Sequence, residues 1–152
     1  MSTAAIALGP ARPTDAGALG AILSEFVDTT GWMPRRHSRA EDIAHAGLMI
    51  DRGWVWVARA DGDVAGFVAR DGARVQSLYV RAGLRGAGIG GLLLEHAKRG
   101  STRLELWTFE ANTAAQRFYE RAGFRLVERT CGQGNDEGLP DRRYLWQKED
   151  SA

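Results

Sequence analysis

The sequence predicts a single domain of mixed α/β class (α+β mixed). It is built around one mostly antiparallel sheet of six to seven strands, with one parallel pair and with helices on both faces. Its 152 residues, 44% of them hydrophobic and 26% charged, have the size and balance of one globular domain, which we place at residues 1–150. Up to residue 53 the apolar residues recur at the spacing of a helix, and from residue 54 they alternate with a period of two, as in a strand. A strand, a helix and a second strand then follow over 74–109, and this order implies a parallel pair with a right-handed crossover.

The first third of the chain contains two predicted helices. Residues 4–8 form a short apolar strand, and Thr14 then caps a helix. The apolar residues of this helix share the spacing i, i+3, i+4 and i+7: Leu19, Ile22, Leu23 and Phe26. A second helix begins at Ser38, which has the S-x-x-E spacing of a capping box with Glu41, and Gly53 ends it.

The rest of the chain alternates strands, turns and helices. Asp61-Gly62-Asp63 and Asp71-Gly72 are turn sequences that separate three consecutive strands, over 54–59, 64–69 and 74–80. These strands form an antiparallel meander, which is why the sheet is expected to be mostly antiparallel. The later predicted elements are, in order, a helix over 89–99, a strand over 103–109, a helix over 112–122, and strands over 124–128 and 143–147.

Charge and composition exclude several classes of partner. Twenty Lys and Arg against nineteen Asp and Glu leave a formal net charge of +1, so no strong field attracts nucleic acid or an anionic membrane. Apolar stretches such as Gly90–Leu94 are far shorter than the roughly 20 residues that cross a bilayer. The first residues also lack the pattern of a secretory signal. We therefore expect a cytoplasmic protein without nucleic-acid or membrane partners.

The sequence does not predict a metal site. Cys131 is the one cysteine, so an internal disulfide and a multi-cysteine zinc site are excluded. Three scattered histidines do not form a His-rich site. Cys131 is instead expected to be a small packed side chain or a surface thiol.

The segment Arg85–Gly91 is the strongest functional feature of the sequence. It lies between a predicted strand and a predicted helix, and four of the six positions Gly86–Gly91 are glycine. At a helix N-terminus the backbone N–H groups have no intrahelical partners, and the helix dipole favours negative charge. Glycine also lets a ligand approach the backbone closely. We therefore predict a phosphate-binding loop.

Two kinds of phosphate loop compete for this segment. Gly86, Gly88 and Gly91 satisfy the dinucleotide pattern G-x-G-x-x-G. Glu110 lies about 20 residues on, where such folds hold a ribose. Five residues separate Val80 from Gly86, however, whereas the first glycine of the dinucleotide pattern follows its strand almost directly. A dinucleotide-binding oxidoreductase stays open as an alternative, and the P-loop of NTPases is excluded because no Gly-Lys-Ser or Gly-Lys-Thr follows the loop.

Two motifs support a different interpretation of the loop. Arg85-x-x-Gly88-x-Gly90, preceded by Leu78-Tyr79-Val80, closely resembles the acyl-CoA signature of the GNAT N-acetyltransferase superfamily. Residues 112–124 resemble that family's N-x-x-A-x-x-F-Y-x-x-x-G-F segment, at its usual distance downstream. The resemblance implies a GNAT-like fold whose parallel strands splay apart, with acetyl-CoA as cosubstrate. It also implies that the acetyl group passes to a primary amine by direct attack in a ternary complex.

The resemblance further implies how acetyl-CoA is held. Backbone groups at the end of one strand would bind the pantetheine arm and polarise the thioester carbonyl: Leu78, Tyr79 and Val80. The loop would hold the pyrophosphate: Arg85, Gly86, Ala87, Gly88, Ile89, Gly90 and Gly91. Asn112 matches a family position whose side chain touches the cofactor arm, and it fits the N-cap of the following helix equally well.

Tyr119 is the predicted catalytic residue, acting as general acid. A phenol with an ordinary pKa of about 10 can give a proton to a thiolate of comparable basicity. No general base is evident, because the segment Arg74–Ser77 lacks the carboxylate that many family members carry on this strand. The open candidates are Glu110, Asp136, Glu137, Asp141, His37 or a chain of water molecules. A catalytically silent acyl-CoA-binding module therefore also stays open as an alternative.

The acceptor site is predicted from two segments of the chain. Trp32 lies between the first two helices, where the family places its variable specificity segment, and would form an apolar wall. Asp136 and Glu137 belong to a polar loop whose acidic groups would attract a cationic amine. The expected acceptor is the amine of a small molecule or a peptide. The family likeness is also compatible with a homodimer, for which Trp146 is a candidate contact.

Overall fold

A seven-stranded sheet forms the centre of the molecule in the computed structural model, which describes residues 5–149. The strands are β1 (Ile6–Pro10), β2 (Val55–Ala60), β3 (Asp63–Asp71), β4 (Arg74–Val80), β5 (Arg103–Phe109), β6 (Arg125–Thr130) and β7 (Asp141–Gln147). Their order across the sheet is β1-β2-β3-β4-β5-β7-β6. All neighbouring pairs are antiparallel except β4 and β5, which are parallel. The predicted mixed α/β class is confirmed.

Helices cover both faces of the sheet. The described residues contain four α-helices: α1 (Ala16–Thr29), α2 (Arg39–Asp51), α3 (Ile89–Arg99) and α4 (Thr113–Arg121). Short 3-10 turns, Pro13–Asp15 and Ala82–Leu84, precede α1 and α3. The core under α1 and α2 is centred on Leu19 and Phe67, and the core under α3 and α4 on Leu93. Within residues 5–149, no helix is long and apolar enough to cross a membrane.

The local predictions for the two N-terminal helices hold in part. The Ser38 hydroxyl accepts a hydrogen bond from the Glu41 N–H (3.1 Å), and the Glu41 carboxylate accepts one from the Ser38 N–H (2.9 Å). The capping box of α2 is therefore confirmed. Thr14 does not cap α1, because it lies inside the preceding 3-10 turn. The buried Asp15 ends that turn, and its carboxylate accepts a hydrogen bond from Arg59 of β2 (2.6 Å).

The first strand differs from its prediction in position. The predicted strand over 4–8 begins one residue outside the described part, and the observed strand continues through Gly9 and Pro10. Pro10 lies opposite Trp56 of β2. Because β1 is at the edge of the sheet, the missing N–H of Pro10 breaks no ladder, and the Gly-Pro pair does not end the strand.

Trp146 packs within the molecule. It is half-buried on β7 and packs against the core under α3 and α4. The ammonium of Lys98 on α3 lies 5.3 Å from the centroid of its ring. These contacts within one molecule explain the partial burial of the Trp146 side chain. The homodimer stays a prediction.

The two parallel strands diverge, and this divergence opens the site. Within the described chain their Cα register contains one pair, Arg74 with Glu105, at the N-terminal ends. β4 stays paired with β3 up to Val80, and β5 stays paired with β7 up to Phe109, so neither strand loses its outer neighbour. The carboxyl ends of β4 and β5 are therefore separated, and the predicted splay of the parallel pair is confirmed.

Candidate active site

A pocket of about 560 Å³ occupies the gap between the carboxyl ends of β4 and β5. Its walls are residues 75–80 of β4, residues 106–109 of β5, the loop and first turn of α3, and one face of α4. Ligands commonly bind at this edge of sheets that contain parallel strands. The predicted cofactor residues that line the pocket are Leu78, Tyr79, Val80, Arg85, Gly86, Gly88, Ile89, Gly90, Gly91 and Asn112. Ala87 is exposed in the loop and is absent from the walls.

The backbone of β4 presents two residues to the gap. The Arg81 N–H donates to the carbonyl of Ala65, near the N-terminal end of β3 (2.8 Å). In an antiparallel ladder, the residues that are hydrogen-bonded to the neighbouring strand recur at every second position. The backbone groups of Tyr79 are therefore bonded to β3. Those of Leu78 and Val80 point into the gap instead. The structure thus separates three residues that the sequence alone treats as equivalent.

The opposite edge of the gap is the backbone of β5. The Glu110 N–H donates to the Pro140 carbonyl (2.9 Å), so the same alternation turns the backbone groups of Trp107 and Phe109 toward β4. The Phe109 carbonyl already accepts a hydrogen bond from the Gln116 side chain (3.1 Å). The backbone of Trp107 is left to face the gap. The sequence interpretation missed Trp107, because a backbone role carries no signature in the residue type.

The glycine loop places a row of N–H groups at the mouth of the pocket. Gly86 and Gly88 have left-handed φ values of +85° and +83°, which residues with a side chain rarely adopt, and Gly88 is the N-cap of α3. The first bond of α3 runs from the Leu92 N–H to the Gly88 carbonyl (3.1 Å). Within residues 5–149, the N–H groups of Gly86–Gly91 donate to no other segment. Six consecutive N–H groups at the N-terminus of α3 are therefore available to an anion.

Arg85 is the first residue of this loop and follows the end of β4. Its Nε donates to the Val80 carbonyl (3.3 Å), and the side chain is otherwise exposed.

At the other end of the loop, the first turn of α3 contacts α4. A Cβ atom at Gly90 would lie 3.4 Å from the Phe118 ring, so a larger residue there would press on α4. Phe118 is half-buried against the core under α3 and α4.

Tyr119 projects from α4 into the base of the pocket. It is 8% exposed, and its ring packs against Phe118, Phe124 and Tyr144, with centroid distances of 5.2, 5.6 and 6.5 Å. Burial raises the pKa of its phenol well above the ordinary value. Its hydroxyl has no hydrogen-bond partner within residues 5–149, yet it is not sealed from solvent. Tyr119 is therefore a neutral phenol that lines the pocket and whose hydroxyl makes no hydrogen bond to the described residues.

Asn112 and Gln116 hold the turn between β5 and α4. The Asn112 side chain accepts a hydrogen bond from the Ala115 N–H (3.1 Å), which confirms Asn112 as the N-cap of α4. Gln116 is buried, and its amide donates to the carbonyls of Phe109 and Glu110 while accepting from Arg142 (3.0 Å). Asn112 lines the pocket as well, so its contact with the cofactor arm stays a prediction.

Four aromatic side chains form a wall at the end of the pocket that faces α1. We define the aromatic wall as Phe26, Trp32, Tyr79 and Phe109. Phe26 contacts Tyr79 (centroids 5.1 Å apart) and Trp32 (6.2 Å), and Trp32 contacts Phe109 (5.7 Å), all edge to face. Phe26, Tyr79 and Phe109 also line the pocket. The structure therefore brings Trp32, from the loop between α1 and α2, next to the carboxyl end of β5.

Several of the candidate bases are already engaged. Glu110 pairs with Arg142 (3.0 Å). Asp141 accepts hydrogen bonds from Thr130 and Asn135. His37 is exposed and lies 3.8 Å from the carboxylate of Glu41. These groups are held by structural contacts and do not line the pocket.

The loop between β6 and β7 contains the two predicted acidic acceptor residues. Asn135 organises this loop by donating to the Leu139 carbonyl (2.8 Å) and accepting from the Leu139 N–H (3.3 Å). Asp136 is exposed, whereas Glu137 is half-buried and has no ion pair within residues 5–149. Burial, followed by the charges of Glu137 and Asp42, raises the pKa of Tyr79 to about 12. The negative charge of Glu137 thus contributes to the environment of Tyr79, one of the four residues of the aromatic wall.

Comparison with protein-family models matches residues 51–126, 76 of the 152 residues, to the acetyltransferase (GNAT) domain. The chain belongs to the GNAT acetyltransferase family. The matched span includes both the loop motif at Arg85–Gly90 and the segment 112–124. Membership of the GNAT family favours the acyl-CoA interpretation of the loop and places the protein among the acyl-CoA dependent N-acetyltransferases.

Individual relatives agree with this assignment. The chain is 32% identical over 121 residues to the peptidyl-lysine N-acetyltransferase YjaB of Salmonella typhimurium strain LT2. The aligned region covers 79% of this chain and 82% of the relative. The solution structure of apo-form YjaB from Escherichia coli has a similar fold, with a TM-score of 0.78 and 24% identity over 95% of this chain and 99% of that one. The structure of yncA from Salmonella typhimurium with its cofactor acetyl-CoA has a TM-score of 0.74 and 23% identity over 97% and 96% of the two chains.

Proposed function

We propose that this GNAT protein transfers an acetyl group from acetyl-CoA to a primary amine, by direct attack of the amine within a ternary complex. The observation that supports this most is a single pocket with three features. It contains a row of free backbone N–H groups at its mouth, two diverging strand edges, and a neutral phenol inside. Acetyl-CoA supplies the activated thioester. The acetyl-CoA in the related yncA structure supports the choice of cosubstrate.

The walls of the pocket match the parts of acetyl-CoA in order. The N–H groups of Gly86–Gly91 would hold the pyrophosphate, and the Arg85 guanidinium adds positive charge beside them. The gap-facing backbone groups of Leu78 and the N–H of Val80 would pair with the amides of the pantetheine arm. Trp107 offers the same kind of groups from β5. An extended arm therefore takes the place of the missing strand between β4 and β5.

Two groups of the chain would act on the reacting atoms. A backbone N–H at the end of β4, from Leu78 or Val80, would donate to the thioester oxygen and stabilise the negative charge that grows there as the amine attacks. As the C–N bond forms and the C–S bond breaks, the Tyr119 hydroxyl would donate its proton to the departing sulfur, and the proton lost by the amine nitrogen would pass through water and restore the phenol. Burial raises the pKa of this phenol, so the group is protonated at neutral pH, and it is a weaker acid than the ordinary phenol assumed from the sequence.

The acceptor would enter beside the aromatic wall. Its rings offer an apolar surface for the carbon chain of an amine, and Glu137 supplies the negative charge that attracts an ammonium group. Asp136, which is exposed in the same loop, would add to this charge at the entrance. The name of YjaB, a peptidyl-lysine N-acetyltransferase, supports a lysine side chain as one acceptor to test. Small amines are the other class.

One observation favours a second candidate function. The residues of β4 that line the pocket before Leu78 are Val75, Gln76 and Ser77, and none of them is a carboxylate. A domain of this family that binds acyl-CoA without turnover would need no base. This alternative shares the cofactor site of the first and differs from it in catalysis alone.

Binding and turnover test the two candidates in sequence. Isothermal titration calorimetry with acetyl-CoA and with NAD should show binding of acetyl-CoA alone. Release of the CoA thiol is then followed with a panel of small amines and lysine-containing peptides. Turnover with any amine supports the transferase, binding without turnover across the panel supports the silent module, and no binding of acetyl-CoA contradicts both.

A further inference from the structure

We propose that Arg121 recognises the 3′-phosphate of CoA, so that the protein distinguishes CoA from 3′-dephospho-CoA. This inference rests on the proposed cosubstrate and assigns a role to a residue that the two sequence motifs leave unused. CoA carries a pyrophosphate and a separate phosphomonoester on its ribose. The glycine loop accounts for the pyrophosphate, so the phosphomonoester still needs a partner.

Helix geometry places Arg121 on the wall of the pocket. Ala114, Phe118 and Arg121 have the spacing i, i+4 and i+7, which sets them on one face of α4, and all three line the pocket. Phe118 packs against the first turn of α3 at Gly90. Arg121 lies one turn further along, about 4.5 Å along the helix axis. Arg121 therefore lies on the pocket wall, one helical turn beyond the contact between α4 and the start of α3.

The charges of the pocket single out this residue. Among the described residues, the cations that line the pocket are Arg85 and Arg121. Arg85 follows β4 and donates to the Val80 carbonyl, which holds it at the pyrophosphate end. The Arg121 side chain is exposed and makes no ion pair or hydrogen bond within residues 5–149. Glu120, its neighbour in sequence, is turned away and accepts a hydrogen bond from Tyr144 (3.2 Å).

The chemistry of the two groups is complementary. A phosphomonoester carries a charge of about −1.5 to −2 at neutral pH and has three acceptor oxygens. The planar guanidinium donates two parallel hydrogen bonds to such a group, which a lysine cannot do. An exposed arginine beside a loop that already binds two phosphates is thus suited to the third.

Calorimetric titration with CoA and with 3′-dephospho-CoA tests the proposal without knowledge of the acceptor. The wild-type chain should bind CoA about five- to tenfold more tightly than 3′-dephospho-CoA, as expected for a charge-assisted bond weakened by solvent. Arg121→Gln should lose this preference: its Kd for CoA rises by that factor, and its Kd for 3′-dephospho-CoA is unchanged. Arg121→Lys should retain part of the preference.

Arg117→Gln is the matched control. Arg117 is exposed on the same helix and is absent from the pocket wall, so this variant makes the same change of charge and should keep the wild-type preference. The assignment would be overturned if Arg121→Gln raised the Kd values for CoA and for 3′-dephospho-CoA by the same factor, or changed neither of them. Equal binding of both compounds by the wild type would do so too. If the wild type binds neither compound, the proposed function fails, and the inference fails with it.

Discussion

Replacing Tyr119 by Phe removes one hydroxyl and leaves the ring in place. The ring contacts with Phe118, Phe124 and Tyr144 are retained, because Phe has the same shape apart from the oxygen. The hydroxyl has no hydrogen-bond partner within residues 5–149. Its loss should therefore change the free energy of unfolding by less than about 1 kcal/mol. A urea titration of both proteins measures this change.

The catalytic effect of the same substitution should be much larger. Without the proton donor, the sulfur must leave as a thiolate, and kcat should fall about 100-fold, the lower end of the range for loss of a general acid. This corresponds to about 2.7 kcal/mol in the activation barrier. The KM for acetyl-CoA should stay at its wild-type value, because the backbone groups that hold the cofactor do not involve the Tyr119 hydroxyl. Release of the CoA thiol at saturating amine provides the assay.

Tyr144→Phe is the matched control for this experiment. Tyr144 is fully buried behind Tyr119, does not line the pocket, and donates its hydroxyl to Glu120 (3.2 Å). Its loss should therefore lower stability and leave kcat near the wild-type value. Two results would refute the role of Tyr119: a Tyr119→Phe variant with wild-type kcat, or equal losses of kcat in both variants.

Three further predictions concern the acceptor, the sheet and pH. Trp32→Ala should raise the KM for the amine about tenfold, as expected when an aromatic contact is removed, and leave the Kd of acetyl-CoA unchanged in titrations; an unchanged amine KM would exclude Trp32 from the acceptor site. Gly66→Ala places a Cβ atom 2.7 Å from the Tyr79 carbonyl and should lower the free energy of unfolding by about 1–3 kcal/mol, whereas Gly9→Ala, with open space around it, serves as the neutral control in the same urea experiment. Because burial and nearby carboxylates raise the pKa of Tyr79 from 10.0 to about 12, the folded state keeps a proton that the unfolded state loses. The contribution of Tyr79 should be fully present below about pH 10 and fall by about 1.4 kcal/mol per pH unit from there to about pH 12, in addition to the loss from the buried Tyr119. A Tyr79→Phe variant with the same alkaline slope as the wild type would contradict this.

Elements with strong local signals were predicted closely. The bounds of β4, α3 and β5 agree with the predicted ones, and the Ser38–Glu41 capping box is present as expected. The loop is also local in origin, because positive φ at Gly86 and Gly88 requires a residue without a side chain. Such features depend on neighbours within a few residues, which the sequence displays directly.

Features that depend on distant partners were missed or left open. β7 inserts between β5 and β6, an order that no local pattern indicates. β1 continues through Pro10 because it is an edge strand, which its own residues do not reveal. The acidic residues near the acceptor end looked alike in sequence. In the structure Glu110 and Asp141 have partners from other segments, while Glu137 has no ion pair within the described residues.

The sequence by itself determined the family, the glycine loop and the position of Tyr119 on its helix, because each is encoded by residue type at a fixed spacing. The tertiary structure alone decided which groups face the pocket. It shows that the backbone of Tyr79 is bonded to β3, whereas the backbone of Leu78 and the N–H of Val80 face the gap, and that Arg121 lines the same pocket as the glycine loop. The physical reason is that a binding site depends on which hydrogen bonds and charges remain unused, and this is known only after the distant segments have paired.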